Sequence, residues 1–160
     1  MKNSVYPQGS IVPKIVSVAI ALLFGSASAL AQQNVPVSLS GASEVPAVSS
    51  SASGSGQFSV AADHTLSGKF TVTGIAATVA HVHEAAAGTN GPVIVKLTKN
   101  ADGSFMVPPG TKFTDAQYAS FLAGNLYVNV HSDAHPGGEI RAQLLAGGAA
   151  TAPMRSGTGY

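Results

Sequence analysis

The sequence predicts an all-β domain, a Greek-key-like β-sandwich or flattened barrel with one short helix. Two observations point there. Val, Ile, Thr and Phe fall in short runs separated by Gly, Pro, Asn and Asp, the pattern of many short strands joined by turns. Only one stretch carries both a start and a stop signal for a helix.

The runs place strands over 34–40, 56–61, 65–73, 79–84, 92–99, 125–131 and 139–146. Asp63-His64 and Asn100-Ala101-Asp102-Gly103 read as turns, and Pro108-Pro109-Gly110 breaks the chain again. The helix is expected over 114–123. Thr114 is suited to the N-cap, Asp115 complements the helix dipole in the first turn, and Gly124 ends the element. Seven short strands with one helix fit two packed sheets or a closed sheet. The Ser-rich segment 49–55 reads as a flexible loop, and the Gly/Ala/Thr-rich stretch 147–160 as a flexible C-terminal tail.

The N-terminal part differs in kind. Lys2 and Lys14 are the only charges before Gln32, an apolar run covers 15–24, and Ala29-Leu30-Ala31 provides small residues for cleavage. This is the pattern of a secretory signal peptide over 1–31. Its apolar run is too short to cross a hydrocarbon core of ~30 Å as a helix. Cleavage after Ala31 is expected to release a domain over 32–146, periplasmic or secreted, followed by the tail. With Lys2 and Lys14 gone, six cations face seven carboxylates, a net charge of −1 with histidine neutral. No basic patch is present, which argues against nucleic acid as a partner. No polybasic or amphipathic segment is present to hold the processed chain at a membrane. The chain has no cysteine, which excludes thiolate metal sites, thiol catalysis and c-type haem attachment.

The chemistry is concentrated in histidines. Four of the five lie in two clusters, His81-Val82-His83-Glu84 and His131-Ser132-Asp133-Ala134-His135. Side chains alternate along a strand, so His81 and His83 point to the same side about 7 Å apart. In the later strand Leu126, Val128 and Val130 form an apolar face, while Tyr127, Asn129 and His131 form the other. His135 follows in a loop turned by Pro136, Gly137 and Gly138. His81, His83, His131 and His135 are therefore the candidate metal ligands. Imidazole suits copper and zinc. Four nitrogens fit Cu(II) in a tetragonal site or Zn(II) in a tetrahedral one, and an exported chain without thiolates favours copper. Glu84 and Asp133 are candidates to ligate or to orient a ring. If the strand from Glu139 pairs with the strand ending at His131, Glu139 and Arg141 stand near the histidines. His64, in a polar turn, reads as an ordinary surface residue.

Four phrases of the sequence resemble the CHRD domain, the chordin-type domain common in bacterial exported proteins. They are Leu39-Ser40-Gly41-Ala42-Ser43-Glu44-Val45-Pro46; His81-Val82-His83 with Gly88-Thr89-Asn90-Gly91-Pro92; Gly124-Asn125-Leu126-Tyr127-Val128-Asn129-Val130-His131; and His135-Pro136-Gly137-Gly138-Glu139-Ile140-Arg141. The resemblance implies an extracytoplasmic β-rich domain and leaves the biochemical function open. Locally, His81-Val82-His83-Glu84 is similar to the strand that supplies two copper ligands in Cu,Zn superoxide dismutases, with His131 in the place of a later third ligand. The chain departs from those enzymes in lacking their disulfide cysteines and their zinc loop.

Three functions compete on this reading. The first is an extracytoplasmic metal-binding protein, most simply for copper, whose partner is the ion. The second is a dismutase-like copper redox enzyme with Arg141 as the nearby cation. The third is a secreted protein-interaction module without metal. No G-x-S-x-G elbow, P-loop or dinucleotide fingerprint is present.

Overall fold

The computed structural model of the protein describes Met1 and residues 32–148. All of the expected signal peptide beyond Met1, and the expected tail from 149 onward, lie outside the described residues. Nine strands and one helix follow in the order β1 (Gln33–Ser40), β2 (Ser53–Val60), β3 (Leu66–Thr73), β4 (Ala77–Glu84), β5 (Val93–Lys96), β6 (Thr98–Lys99), β7 (Phe105–Met106), α1 (Asp115–Leu122), β8 (Leu126–Ser132) and β9 (Ile140–Leu144).

The strands form one sheet in the order β5-β4-β8-β9-β1-β2-β3-β7-β6. Its two edge strands, β5 and β6, are one run of chain interrupted only by Leu97. Val93–Lys96 pairs with β4, and Thr98–Lys99 pairs with β7. Leu97 donates its N–H to Ala80 O at 3.0 Å as the run changes partner. The sheet thereby closes on itself into a nearly complete barrel, which removes the free edges that an open sheet exposes. The sequence suggested a single strand over 92–99. The interruption at Leu97 is how the chain serves two neighbours. The placement of β9 beside β1, ahead of the β1-β2-β3 meander, is Greek-key-like.

Inward side chains follow the period of two. Val35, Val37 and Leu39 of β1 are buried between exposed neighbours. Phe70 of β3 stands between Phe58 and Phe105, at ring-centroid distances of 6.0 and 5.7 Å. Ala80 and Val82 of β4, Val128 and Val130 of β8, and Ile140 and Leu144 of β9 complete the core on the far side. Helix α1 adds Phe121 to this core. Its start is fixed by a capping box: Thr114 Oγ1 accepts from Gln117 N, and Gln117 Oε1 accepts from Thr114 N. Gly124, at φ 74°, ends it.

Two elements differ from expectation. Ser53, Gly54 and Ser55 belong to β2 rather than to a loop. Their polar composition conceals a strand because Gly54 and Gly56 sit where larger side chains would strike β3. A Cβ on Gly56 would lie 2.3 Å from Lys69 O. The two-residue β7 pairs with β3 and carries one buried phenylalanine, too little for a periodic signal.

Replacing Phe70 by alanine removes the middle ring of three. The expected loss is about 3–5 kcal/mol of unfolding free energy, read from urea denaturation at unchanged pH.

Candidate metal centre

The pairing of β4 with β8 decides where the histidines go. His83 stands opposite Tyr127, His81 opposite Asn129, and Val79 opposite His131. On the next strand Asn129 faces Arg141 and Tyr127 faces Gln143. Because Val82, Val128 and Ala142 point into the core, this second face of β4, β8 and β9 points out of the barrel. It is nevertheless buried over much of its area. Tyr127 is 2 % exposed, Asn129 2 % and Arg141 1 %.

The cover comes from two loops. In residues 85–92, Gly91 donates its N–H to Tyr127 Oη at 3.3 Å, and Ala85 O accepts from Gln143 Nε2 at 2.9 Å. Asn90 reaches across to the second loop, 41–48, donating from Nδ2 to Val45 O at 2.6 Å. Arg141 holds the first loop from below, donating to Thr89 O at 2.9 Å and to Asn90 Oδ1 at 3.1 Å. Its guanidinium lies 3.4 Å from the centre of the Tyr127 ring. The other side of Tyr127 stacks on His83 at 4.7 Å and 8°.

At the edge of this covered face, one ring nitrogen from each of His81, His83 and His131 lies within 4.8 Å of the other two. His83 Nδ1 is 2.9 Å from Gly91 O, and His131 Nδ1 is 2.8 Å from Pro136 O. A carbonyl only accepts, so both Nδ1 atoms carry the proton and both Nε2 atoms present a lone pair. His83 Nε2 is buried and has no hydrogen-bond partner. His131 Nε2 is 3.2 Å from His81 Nδ1. Backbone carbonyls that fix the remote nitrogen are the usual outer support of a metal-bound imidazole.

The electrostatics favour the neutral form of His81 and His83. Burial pushes His81 below its ordinary value, and the neighbouring His131, His83 and Lys96 push it further. Burial also lowers His83, against the Gly91 carbonyl, which favours the protonated form. Neutral imidazole is the form that ligates metals.

The structure thus brings together three of the four histidines expected as ligands, and His135 stands apart from them. In the turn before β9, His135 donates its backbone N–H toward Ser132 Oγ at 3.2 Å, and its ring lies near Glu139. Glu84 accepts from Ser120 Oγ at 2.6 Å and so ties the end of β4 to α1. Asp133 is exposed. Glu139 accepts from Ser50 Oγ at 2.7 Å and also from Ser132 Oγ. Burial raises its carboxyl, but these hydroxyls outweigh that and hold it below the usual range. Arg141 supports the loop over the face. His64, at φ 67°, stacks on Tyr118 at 4.1 Å and is not part of the cluster. Sequence reasoning about the site passed over Glu44 and Asn90, and their pointer was their presence in the phrases that resemble a family. Alternation placed Tyr127 on the face of His131 without giving it a role.

Those four phrases meet here. Loops 41–48 and 85–92 cover the face, β4 and β8 supply the histidines, and the turn before β9 supplies Pro136 O and leads to Arg141. The family model of the CHRD domain matches residues 35–144. The chain belongs to the CHRD family. CHRD domains are extracellular modules, and no helix among the described residues is long and apolar enough to cross a membrane. Comparison with curated proteins and with solved structures gives no match.

Two predictions follow from this face of the CHRD domain. A histidine whose folded pKa is depressed binds its proton first in the unfolded chain, so its contribution to stability is full above pH 6.5 and declines as pH falls below it. Thermal melts of the metal-free protein between pH 7.5 and 5 should therefore show stability falling with pH, and falling less in His81→Ala/His83→Ala. Arg141→Lys keeps the charge but not the forked donors. It is expected to cost about 1–3 kcal/mol through lost hydrogen bonds, and to speed amide hydrogen exchange at Gly91 more than in the core strands.

Proposed function

We propose that this CHRD domain is an extracytoplasmic metal-binding protein whose ligands are His81, His83 and His131, with copper as the ion and zinc as its competitor. The observation that carries the reading is the convergence of three imidazoles, two of which, His83 and His131, engage a backbone carbonyl through Nδ1 and so leave Nε2 for an ion. Three nitrogens leave at least one position for water or another donor, as copper and zinc both tolerate. Imidazole binds Cu(II) more tightly than Zn(II) in the general order of divalent ions. An exported destination fits the leader-like N-terminus expected from the sequence.

The dismutase-like alternative is less well supported. Arg141, the cation it would use, is 1 % exposed and engaged with Thr89, Asn90 and Tyr127. It is badly placed to guide an anion to the metal. The reading preferred here is binding, storage or transfer of the ion.

Titration of the metal-free protein with Cu(II), followed by calorimetry and electron paramagnetic resonance, tests this. One ion per chain with nitrogen hyperfine structure is expected. His81→Ala/His83→Ala should weaken binding by a hundredfold or more. Equal stoichiometry and affinity in that variant would end the reading.

A further inference from the structure

The charge around the histidines is one-sided. His81, His83 and His131 form the group able to hold an ion among the described residues, and no carboxylate belongs to it. Three neutral imidazoles leave a divalent ion its full double charge. Glu84, the next residue of β4, is turned to Ser120.

The rim of the triad adds to that charge. Residues directly opposite on paired antiparallel strands lie side by side on one face. Val79 of β4 stands opposite His131, Val93 of β5 opposite His83, and Lys96 of β5 opposite His81. All three rim residues are exposed. The valines carry no ligand atom, so they cannot complete the coordination of an ion.

Lys96 is set apart from the other lysines of the domain. Lys69 and Lys112 pair with Asp102 and Asp63, and Lys99 donates to Ala77 O. Among the described residues Lys96 has no such partner. Its charge nevertheless reaches the triad: burial lowers His81 most, and His131, His83 and Lys96 lower it further. Arg141 lies on the other side of the cluster, with donors engaged by loop 85–92.

An ammonium beside a divalent ion repels it and weakens its binding. Water as a fourth ligand would leave that repulsion in place. An anion between the two removes it, with one atom on the ion and another accepting from the ammonium. The lysine stem is flexible enough to bring Nζ to such a ligand.

We propose that the centre of His81, His83 and His131 takes a small anion as the fourth ligand of its ion, held by Lys96. The ligand class is a monoanion with two separate acceptor atoms, of the carboxylate kind. The inference rests on the metal reading above and names the co-ligand of that site.

The test uses the full processed chain at pH 7, where lysine is charged, in a perchlorate electrolyte. Cu(II) affinity is measured by calorimetry without added anion. Azide is then titrated into the copper-loaded protein and followed by its charge-transfer band to copper. Lys96→Gln should tighten Cu(II) and weaken azide, each by roughly three- to tenfold, and Lys96→Arg should restore both. Acetate added afterwards should displace azide from the wild type. Failure of the wild type to bind copper would remove this inference and the metal reading together. Bound copper without an azide band, azide affinity unchanged in Lys96→Gln, or azide that acetate does not displace would overturn the anion site alone. Weaker copper binding in Lys96→Gln would make Lys96 a ligand of the ion and overturn it too.

Discussion

A guanidinium buried to 1 % exposure is costly to desolvate unless its donors are used. In this protein the donors of Arg141 are used on the backbone and side chains of loop 85–92, and its flat face is used on Tyr127. The consequence spreads outward. The loop is held down, Gly91 O is placed at His83 Nδ1, and Tyr127 becomes a plate with Arg141 on one side and His83 on the other. The orientation of a candidate ligand on β4 thus traces back, through two contacts, to a charge on β9. Arginine suits this position because a lysine would supply a point charge without the fork or the stacking surface.

The barrel makes this arrangement possible. Closure through Leu97 leaves the apolar residues of β4, β8 and β9 satisfied on the inside. Their outward face is then free to carry polar residues, which loops bury a second time. A sheet face covered in this way has two dry sides of opposite chemistry, one aliphatic and one built of hydrogen bonds. The second kind is sensitive, since each polar atom must find a partner within the covering loops. Glu44, His83 and Asn129 hold the buried side-chain atoms without partners among the described residues, and all three stand on or against this face.

Much of this was legible from alternation alone. His81 and His83 share a face because they are two apart in a strand, and His131 lies away from Val128 and Val130 for the same reason. The convergence of the two strands needed only that β4 and β8 be neighbours, which spacing does not state but which the clustering of histidines suggested. The hairpin of β8 with β9 brought Arg141 to the same face, as its period required. What alternation could not supply was the role of the loops. His135 looked equivalent to His131 by distance along the chain, yet the turn at Pro136 carries its backbone, not its ring, toward the strand. Glu44 lies 37 positions ahead of His81 and has no local pattern. Its burial comes from chain segments meeting in space. The Ser-rich start of β2 was hidden because its glycines, which permit close strand approach, are also the residues that mark loops.

The acceptors that orient His83 and His131 are both peptide carbonyls, from Gly91 and Pro136. A side-chain acceptor can be deleted by one codon change, but a main-chain oxygen is present whatever residue stands there. Only rerouting the loop would remove it. The placement of the proton on the two rings is therefore inherited from the path of the polypeptide, and at His83 it lasts as long as Gly91, where a Cβ would lie 1.9 Å from Glu84 O, and Arg141 keep that path.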